Sequence, residues 1–218
     1  MKDVVIGIQD SKALLTAIRT LTVGKLACLP TDTLYGIHGL ATFPGMSRKL
    51  AMLKGETGAA RPFILLAHEV RQVEHWALLD DYDRQFLAKY CPGPVSVILK
   101  AAVQAPPEWV STDGQGQRRI AFRIPDVPFL SDLLQVLAAP LFSTSANLSG
   151  QAPLESASEI VKLFGDKVDL IVSDPELERR IAAEGAAPSA LVDLTCRPPK
   201  VLREGRLPFV LTMQAPMG

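Results

Sequence analysis

An α/β or α+β fold, built as one twisted and largely mixed sheet flanked by helices, is what the sequence predicts. Strand-length apolar runs alternate with segments of helical periodicity along most of the chain. No internal repeat or low-complexity stretch interrupts them, and no linker is long enough to separate two domains. With 218 residues, 48% of them apolar, the chain can bury one substantial core. A single domain over 1–218 is expected, with its core at about 10–206 and an apolar, unpatterned tail at 207–218.

Residues 10–21 carry apolar side chains at helical spacing behind an Asp/Ser start, and 25–29 reads as a buried strand that Pro30 stops. A loop follows, then a helix over 44–53 ending near Lys54 and Gly55. The apolar run 63–67 has strand length, 80–90 looks helical, and the Pro-Gly-Pro breaker after Cys91 leads into a strand at 95–99. Residues 119–124 alternate as a strand, 127–137 return to helical spacing, and 141–143 begin a strand entering a polar loop. A helix at 155–164 and strands at 170–173, 190–194 and 200–202 complete the prediction.

Lys plus Arg and Asp plus Glu number 23 each, so no strong net field would hold a polyanion by charge alone. Cys28, Cys91 and Cys196 match neither a zinc spacing nor a CxxC pair and read as small buried hydrophobes. The N-terminus has no long apolar region with a cleavage site, and no run approaches a membrane span, so a soluble cytoplasmic protein that does not engage membranes is expected.

Five segments interrupt the apolar pattern at strand ends, where open α/β sheets tend to bind ligands. The first, Pro30 to Gly36, sets Thr31, Asp32 and Thr33 directly after a strand; its plain reading is a helix cap. In the second, Lys54 to Pro62, Lys54 and Arg61 flank a small-residue loop that is either a solvated turn or a grip on a triphosphate. Neither a GxxxxGK[ST] loop nor a strand followed by GxGxxG occurs. In the third, Arg123 shares a strand face with Arg119 and Ala121, and an edge-strand arginine facing water is the alternative. The fourth, Ser143 to Gly150, holds Ser143, Thr144, Ser145, Asn147 and Ser149 and suits an anion cradle or an ordinary turn. The fifth joins residues 188–193 to 201–205, two short strands that could form a hairpin. His38, His68 and His75 have no Ser or Cys elbow beside them and are expected in structural or surface roles.

Taken in order, LPTDTLYG, the Lys54 to Pro62 loop, CPGPVSVIL, RIAFRIPD, STSANLSG, PSALVDL and VLREG resemble the YrdC-like threonylcarbamoyl-AMP synthases over nearly the whole chain. The resemblance implies a YrdC-like fold and a nucleotidyltransferase that joins L-threonine, bicarbonate and ATP, releasing pyrophosphate. Its threonylcarbamoyl-adenylate would serve the tRNA threonylcarbamoyl transferase machinery that modifies adenosine in transfer RNA. By motif position, Thr33, Arg123, Ser143 and Ser189 would hold threonine, while Lys54, Arg61, Ser145, Asn147 and Arg203 would hold ATP. No general base and no protein metal site are implied; Mg²⁺ would be carried by the phosphates, with Asp32 the one carboxylate to consider.

The chain departs from the family at Glu56, where the basic loop usually has an arginine, and the loop is one residue longer. Exchanging a cation for an anion there should weaken triphosphate binding by about 1–3 kcal/mol. Two other readings remain open: a YrdC-like paralogue with altered or lost activity, and an RNA-binding module. The second would use Arg118, Arg119, Arg123, Lys200, Arg203 and Arg206 on structured RNA if they face one side.

Overall fold

The computed structural model describes residues 5–55 and 63–206. Its first half contains β1 (Val5–Gly7), α1 (Ala13–Thr22), β2 (Ala27–Pro30), β3 (Tyr35–Leu40), α2 (Met46–Leu53), β4 (Ile64–Leu66), α3 (Val70–Trp76), β5 (Ala77–Leu78), α4 (Asp81–Tyr90) and β6 (Val95–Ala101). After a 3-10 turn (Pro107–Trp109) come β7 (Ser111–Thr112), β8 (Arg118–Arg123), α5 (Pro128–Leu137), β9 (Leu141–Ser145), α6 (Ala157–Phe164), β10 (Leu170–Ser173), α7 (Pro175–Glu184), β11 (Ala190–Asp193) and β12 (Lys200–Arg203).

Local chemistry sets several helix starts. Asp80 and Asp83 form a reciprocal capping box on α4, and Ser156 and Glu159 do the same for α6. Asp174 caps α7, with Pro175 in its first turn. Tertiary context makes other elements that sequence pattern alone does not predict: β1, β3, β5, β7, α3 and α7. Tyr35 to Leu40 reads YGIHGL, two glycines and a histidine, yet it is a central strand because β2 and β9 pair with it on both sides.

Among the described residues the strands join one mixed sheet in the order β1-β10-β2-β3-β9-β4-β8-β6-β11-β12, with β5 against β6 and β7 against β8. β8 lies between β4 and β6, so Arg119 and Arg123 do not belong to an edge strand. The expected hairpin is present, with β11 and β12 pairing antiparallel.

Alternation along the strands divides the side chains between two faces. One face carries Cys28, Ile37, Leu65, Phe122, Val97, Phe142 and Val192 into the larger core, which helices from α2 to α7, α5 excepted, and Trp109 close. On the other face, Ala27, Leu29, Leu66, Leu141, Leu170 and Val172 pack under Ala17 and Leu21 of α1 and Leu130, Leu133 and Leu134 of α5. These two helices cover only part of that face. Farther along it, the alternate positions of β9, β8, β6 and β11 present Ser143, Ser145, Ala121, Arg123, Ser96, Ile98 and Leu191, mostly half-exposed.

The cysteines follow expectation at Cys28 alone, which is fully buried; Cys91 is half-buried and Cys196 is exposed in the turn between β11 and β12. No helix among the described residues is long and apolar enough to cross a membrane.

Candidate functional site

Sheet register carries the polar groups across this open strip. Gly36 of β3 lies opposite Ser145 of β9, and His38 lies opposite Ser143. Ser143 in turn faces Ile64 of β4, Leu66 faces Arg123 of β8, and Arg123 faces Ser96 of β6. Leu191 of β11 then pairs with Ser96 on one side and Arg203 of β12 on the other. Polar groups from β9, β8, β6 and β12, which the sequence scatters from residue 96 to residue 203, thus meet on one side of the sheet.

Thr31, Asp32 and Thr33 form the tight turn between β2 and β3, not a helix cap. Thr31 Oγ1 accepts the Thr33 and Leu34 N–H groups at 3.1 Å each and donates to the Leu34 carbonyl at 2.7 Å. Thr33 Oγ1 lies 3.0 Å from Thr31 Oγ1 and accepts from Arg123 Nη1 at 3.0 Å. Arg123 Nη2 also donates to Asp32 Oδ1, and the Asp32 carbonyl accepts from Arg180 Nη2 at 2.8 Å. Asp32, the one carboxylate considered for magnesium, pairs with the Arg123 guanidinium through Oδ1.

A second cluster joins the end of α2 to the segment after β9. Lys54 Nζ donates to the Ser145 carbonyl at 3.0 Å and to Asn147 Oδ1 at 2.7 Å, and Ser145 Oγ reaches the same oxygen at 2.5 Å. Asn147 Nδ2 donates to the carbonyls of Leu148 and Gln151, which fixes the amide's orientation. Ser143 and Ser145 belong to β9 itself instead of to a loop.

The third cluster stands at the β11 and β12 end. Ser189 Oγ is 2.8 Å from Ser96 Oγ, and Arg203 donates from Nε to the Ser189 carbonyl and from Nη2 to Ser189 Oγ. Gly205 makes this close approach possible, since a Cβ there would lie 2.2 Å from the Ala190 nitrogen. Gly36 has a similar use: a Cβ would come 2.7 Å from His38 Nε2, so the glycine lets the imidazole lie along the strand.

The strip is electrostatically unbalanced. Burial lowers the pKa of Arg123, with Asp32 opposing the shift, and burial followed by the neighbouring Arg123 charge lowers that of Arg203. Arg123 is the buried member of this pair and Arg203 the exposed one, and an anion between them would relieve the penalty that the Arg123 charge places on Arg203. Burial pushes the Cys91 thiol beside Arg123 up to about 12, so it is not a nucleophile at neutral pH. Burial, with Arg123 nearby, holds His38 neutral at a pKa of about 3.

Of the residues expected to bind substrate, Thr33 and Arg123 meet directly, as do Lys54, Ser145 and Asn147, and Ser189 and Arg203; Ser143 lies between the first two groups on β9. Arg61 and Glu56 lie outside the described residues. Sequence reasoning missed Ser96, hidden within the apolar run VSVIL, and Arg180, on a helix it did not predict. Only their partners identify them. Nor do the six basic residues considered for RNA form one surface. Arg118 and Arg119 leave β8 on opposite faces, and Arg118 caps the carbonyls of Ala102, Val103 and Ala105. Arg119 pairs with Asp113 and Asp193, and Arg206 with Glu184.

The chain is similar to known proteins over most of its length. The Sua5/YciO/YrdC family, described as "Telomere recombination", matches residues 19–205. A threonylcarbamoyl-AMP synthase of Coxiella burnetii is 32% identical over 162 residues, covering 73% of this chain and 83% of that protein. One from Pyrococcus abyssi is 31% identical over 187 residues, covering 85% of this chain but 52% of the relative, so the chain spans about half of that protein's length. The solved structure of P. abyssi Sua5 complexed with L-threonine superposes with a TM-score of 0.77 at 26% identity, covering 93% of this chain and 56% of that one.

Proposed function

Because the chain belongs to the Sua5/YciO/YrdC family, we propose that it is a threonylcarbamoyl-AMP synthase, a nucleotidyltransferase acting on L-threonine, bicarbonate and ATP. The observation that carries this reading is the state of Arg123. Its guanidinium is buried beside the Thr33 hydroxyl, close enough to the exposed Arg203 to disfavour that residue's charge, and its Nε–H has no acceptor among the described residues. A small carboxylate held by hydroxyls is the ligand such a group calls for.

In this assignment the threonine carboxylate binds Arg123, with Thr33, Ser143 and Ser189 supplying hydroxyls around it. The amine and bicarbonate give a carbamate with loss of water. A carbamate oxygen then bonds to the α-phosphorus of ATP as the bond to the β-phosphate oxygen breaks, and pyrophosphate leaves. Lys54, Ser145, Asn147, Arg203 and Arg61 hold the nucleotide and face the charge that builds on the departing pyrophosphate. Catalysis here is positioning and charge stabilisation, with no side chain required as a general base.

Among the described residues no group of three His, Cys, Asp or Glu side chains could hold a metal ion. Magnesium is assigned as an ion carried by the triphosphate, where it would neutralise phosphate charge. The product would pass to the machinery that transfers threonylcarbamoyl to tRNA. We take residues 1–218 as one catalytic domain.

The test is pyrophosphate release by the purified protein from ATP, bicarbonate and Mg²⁺, with and without L-threonine. Threonine-dependent release is expected, and release indifferent to threonine overturns the assignment. A second reading, a paralogue with a weakened phosphate loop, rests on Glu56 in place of a loop arginine.

A further inference from the structure

One buried ion pair of the site is incomplete on both sides. Arg123 uses Nη2 on Asp32 Oδ1 and Nη1 on Thr33 Oγ1, yet its Nε–H meets no acceptor among the described residues, and Asp32 Oδ2 meets no donor. The two side chains are only 8% and 10% exposed. Unsatisfied buried groups of this kind are costly, so a pair that keeps one on each partner points to something outside the chain.

Neutralising Arg123 does not account for Asp32. A carboxylate serving only that purpose pairs most strongly as a two-pronged fork, with both oxygens on two N–H groups. Here one prong is made and the other two positions are vacant. The Asp32 backbone is meanwhile fixed on both sides, by the Thr31 turn and by the Arg180 bond to its carbonyl at 2.8 Å. Its placement is thus set by the fold.

The unpartnered groups are a negatively charged hydrogen-bond acceptor, Asp32 Oδ2, and a positively charged donor, Arg123 Nε–H, within one ion pair. A free anion would fill only the arginine side, and a metal ion only the aspartate side. A zwitterion with cation and anion on neighbouring atoms fills both. The surroundings make the carboxylate necessary for such a ligand, because the Arg123 charge already disfavours that of Arg203 and would repel an ammonium group in the same way.

We propose that Asp32 is a further substrate-binding residue, with Oδ2 accepting from the α-ammonium of the amino acid as it binds while Arg123 takes its carboxylate; the ammonium gives one proton to solvent before the carbamate forms. This rests on the amino-acid-activating function proposed above. It makes the Asp32–Arg123 pair the element that selects α-amino acids over hydroxy acids of the same shape.

The experiment measures calorimetric affinity of the full chain for L-threonine and for 3-hydroxybutyrate, which keeps the carboxylate and hydroxyl but has no amine. Wild-type protein should prefer L-threonine, and Asp32→Asn should erase most of that preference, a loss of roughly ten- to hundredfold. ATP affinity of Asp32→Asn should stay within about twofold as a check that the site is intact. A preference that survives in Asp32→Asn, whether both ligands weaken together or neither does, overturns the proposal. Equal affinity of the wild type for the two ligands overturns it without any variant. No binding of L-threonine by the wild type would sink the proposed function and this inference together, whereas a surviving preference removes the inference alone.

Discussion

Lys54 Nζ and Asn147 Oδ1 are joined at 2.7 Å across 93 residues of chain, and the Ser145 hydroxyl shares the same amide oxygen. The end of α2 and the segment after β9 are thereby one unit, although they belong to different motifs. A nucleotide held by either would depend on both.

Lys54→Ala should therefore abolish measurable ATP binding and also lower stability by about 1–3 kcal/mol, since a buried charged donor is removed from two acceptors. Titration calorimetry with ATP and urea denaturation read the two effects. Unchanged ATP affinity would remove Lys54 from the nucleotide site.

Arg203→Ala and Arg123→Ala should separate the substrates. The first should raise KM for ATP more than for L-threonine, and the second the reverse, each by about ten- to hundredfold in its own substrate. Steady-state pyrophosphate release under varied ATP and varied L-threonine distinguishes them. Equal shifts in both constants would mean that the two ends of the strip do not divide the substrates as assigned.

Arg123→Ala leaves the Asp32 carboxylate buried without its partner and should cost about 3–5 kcal/mol of stability. The double variant Arg123→Met, Asp32→Asn should recover most of that loss while still failing to bind L-threonine. If the double variant is no more stable than Arg123→Ala, the pair is not what the single change disrupts.

His38 should make stability depend on pH. Its pKa is about 3 in the folded chain against an ordinary 6.5, so the unfolded state binds the extra proton between those values. The stabilising contribution is complete above pH 6.5 and is lost as pH falls toward 3, with a slope approaching about 1.4 kcal/mol per pH unit. Urea midpoints of wild type and His38→Gln between pH 7 and pH 5 should diverge accordingly, the variant falling less steeply. Parallel profiles would contradict it.

Glu56→Arg restores a cation to the loop after Lys54 and should tighten ATP binding by about 1–3 kcal/mol. Its turnover compared with wild type separates the two functional readings. Threonine-dependent release in the wild type favours the synthase, and release appearing only in Glu56→Arg favours the paralogue with a weakened phosphate loop.

Most strands and helices with clean periodicity were legible in the sequence, among them Val95 to Leu99 and Pro128 to Leu137. The β3 strand was not, because Gly36, His38 and Gly39 erase the apolar alternation that marks a strand; Gly39 makes room for Met46, against whose Sδ a Cβ would lie at 2.2 Å. α7 carried readable start signals in Asp174 and Pro175, but its exposed, charged face gives little periodicity. The binding motifs could be found by their order. The Arg123 bond to Asp32 spans 91 residues, and no local pattern encodes such a pairing.

The partly uncovered sheet face has a consequence for how this protein tolerates change. Phe122 and Arg123 are neighbours in one strand, yet Phe122 enters the large core and Arg123 the open strip. Val97 and Ser96 divide in the same way. Each strand thus interleaves two alphabets at single-residue spacing, one read by folding and the other by ligands. A drift in ligand preference can proceed through every second residue without reopening the core, whereas a one-residue insertion in any of these strands would exchange the two and forfeit both.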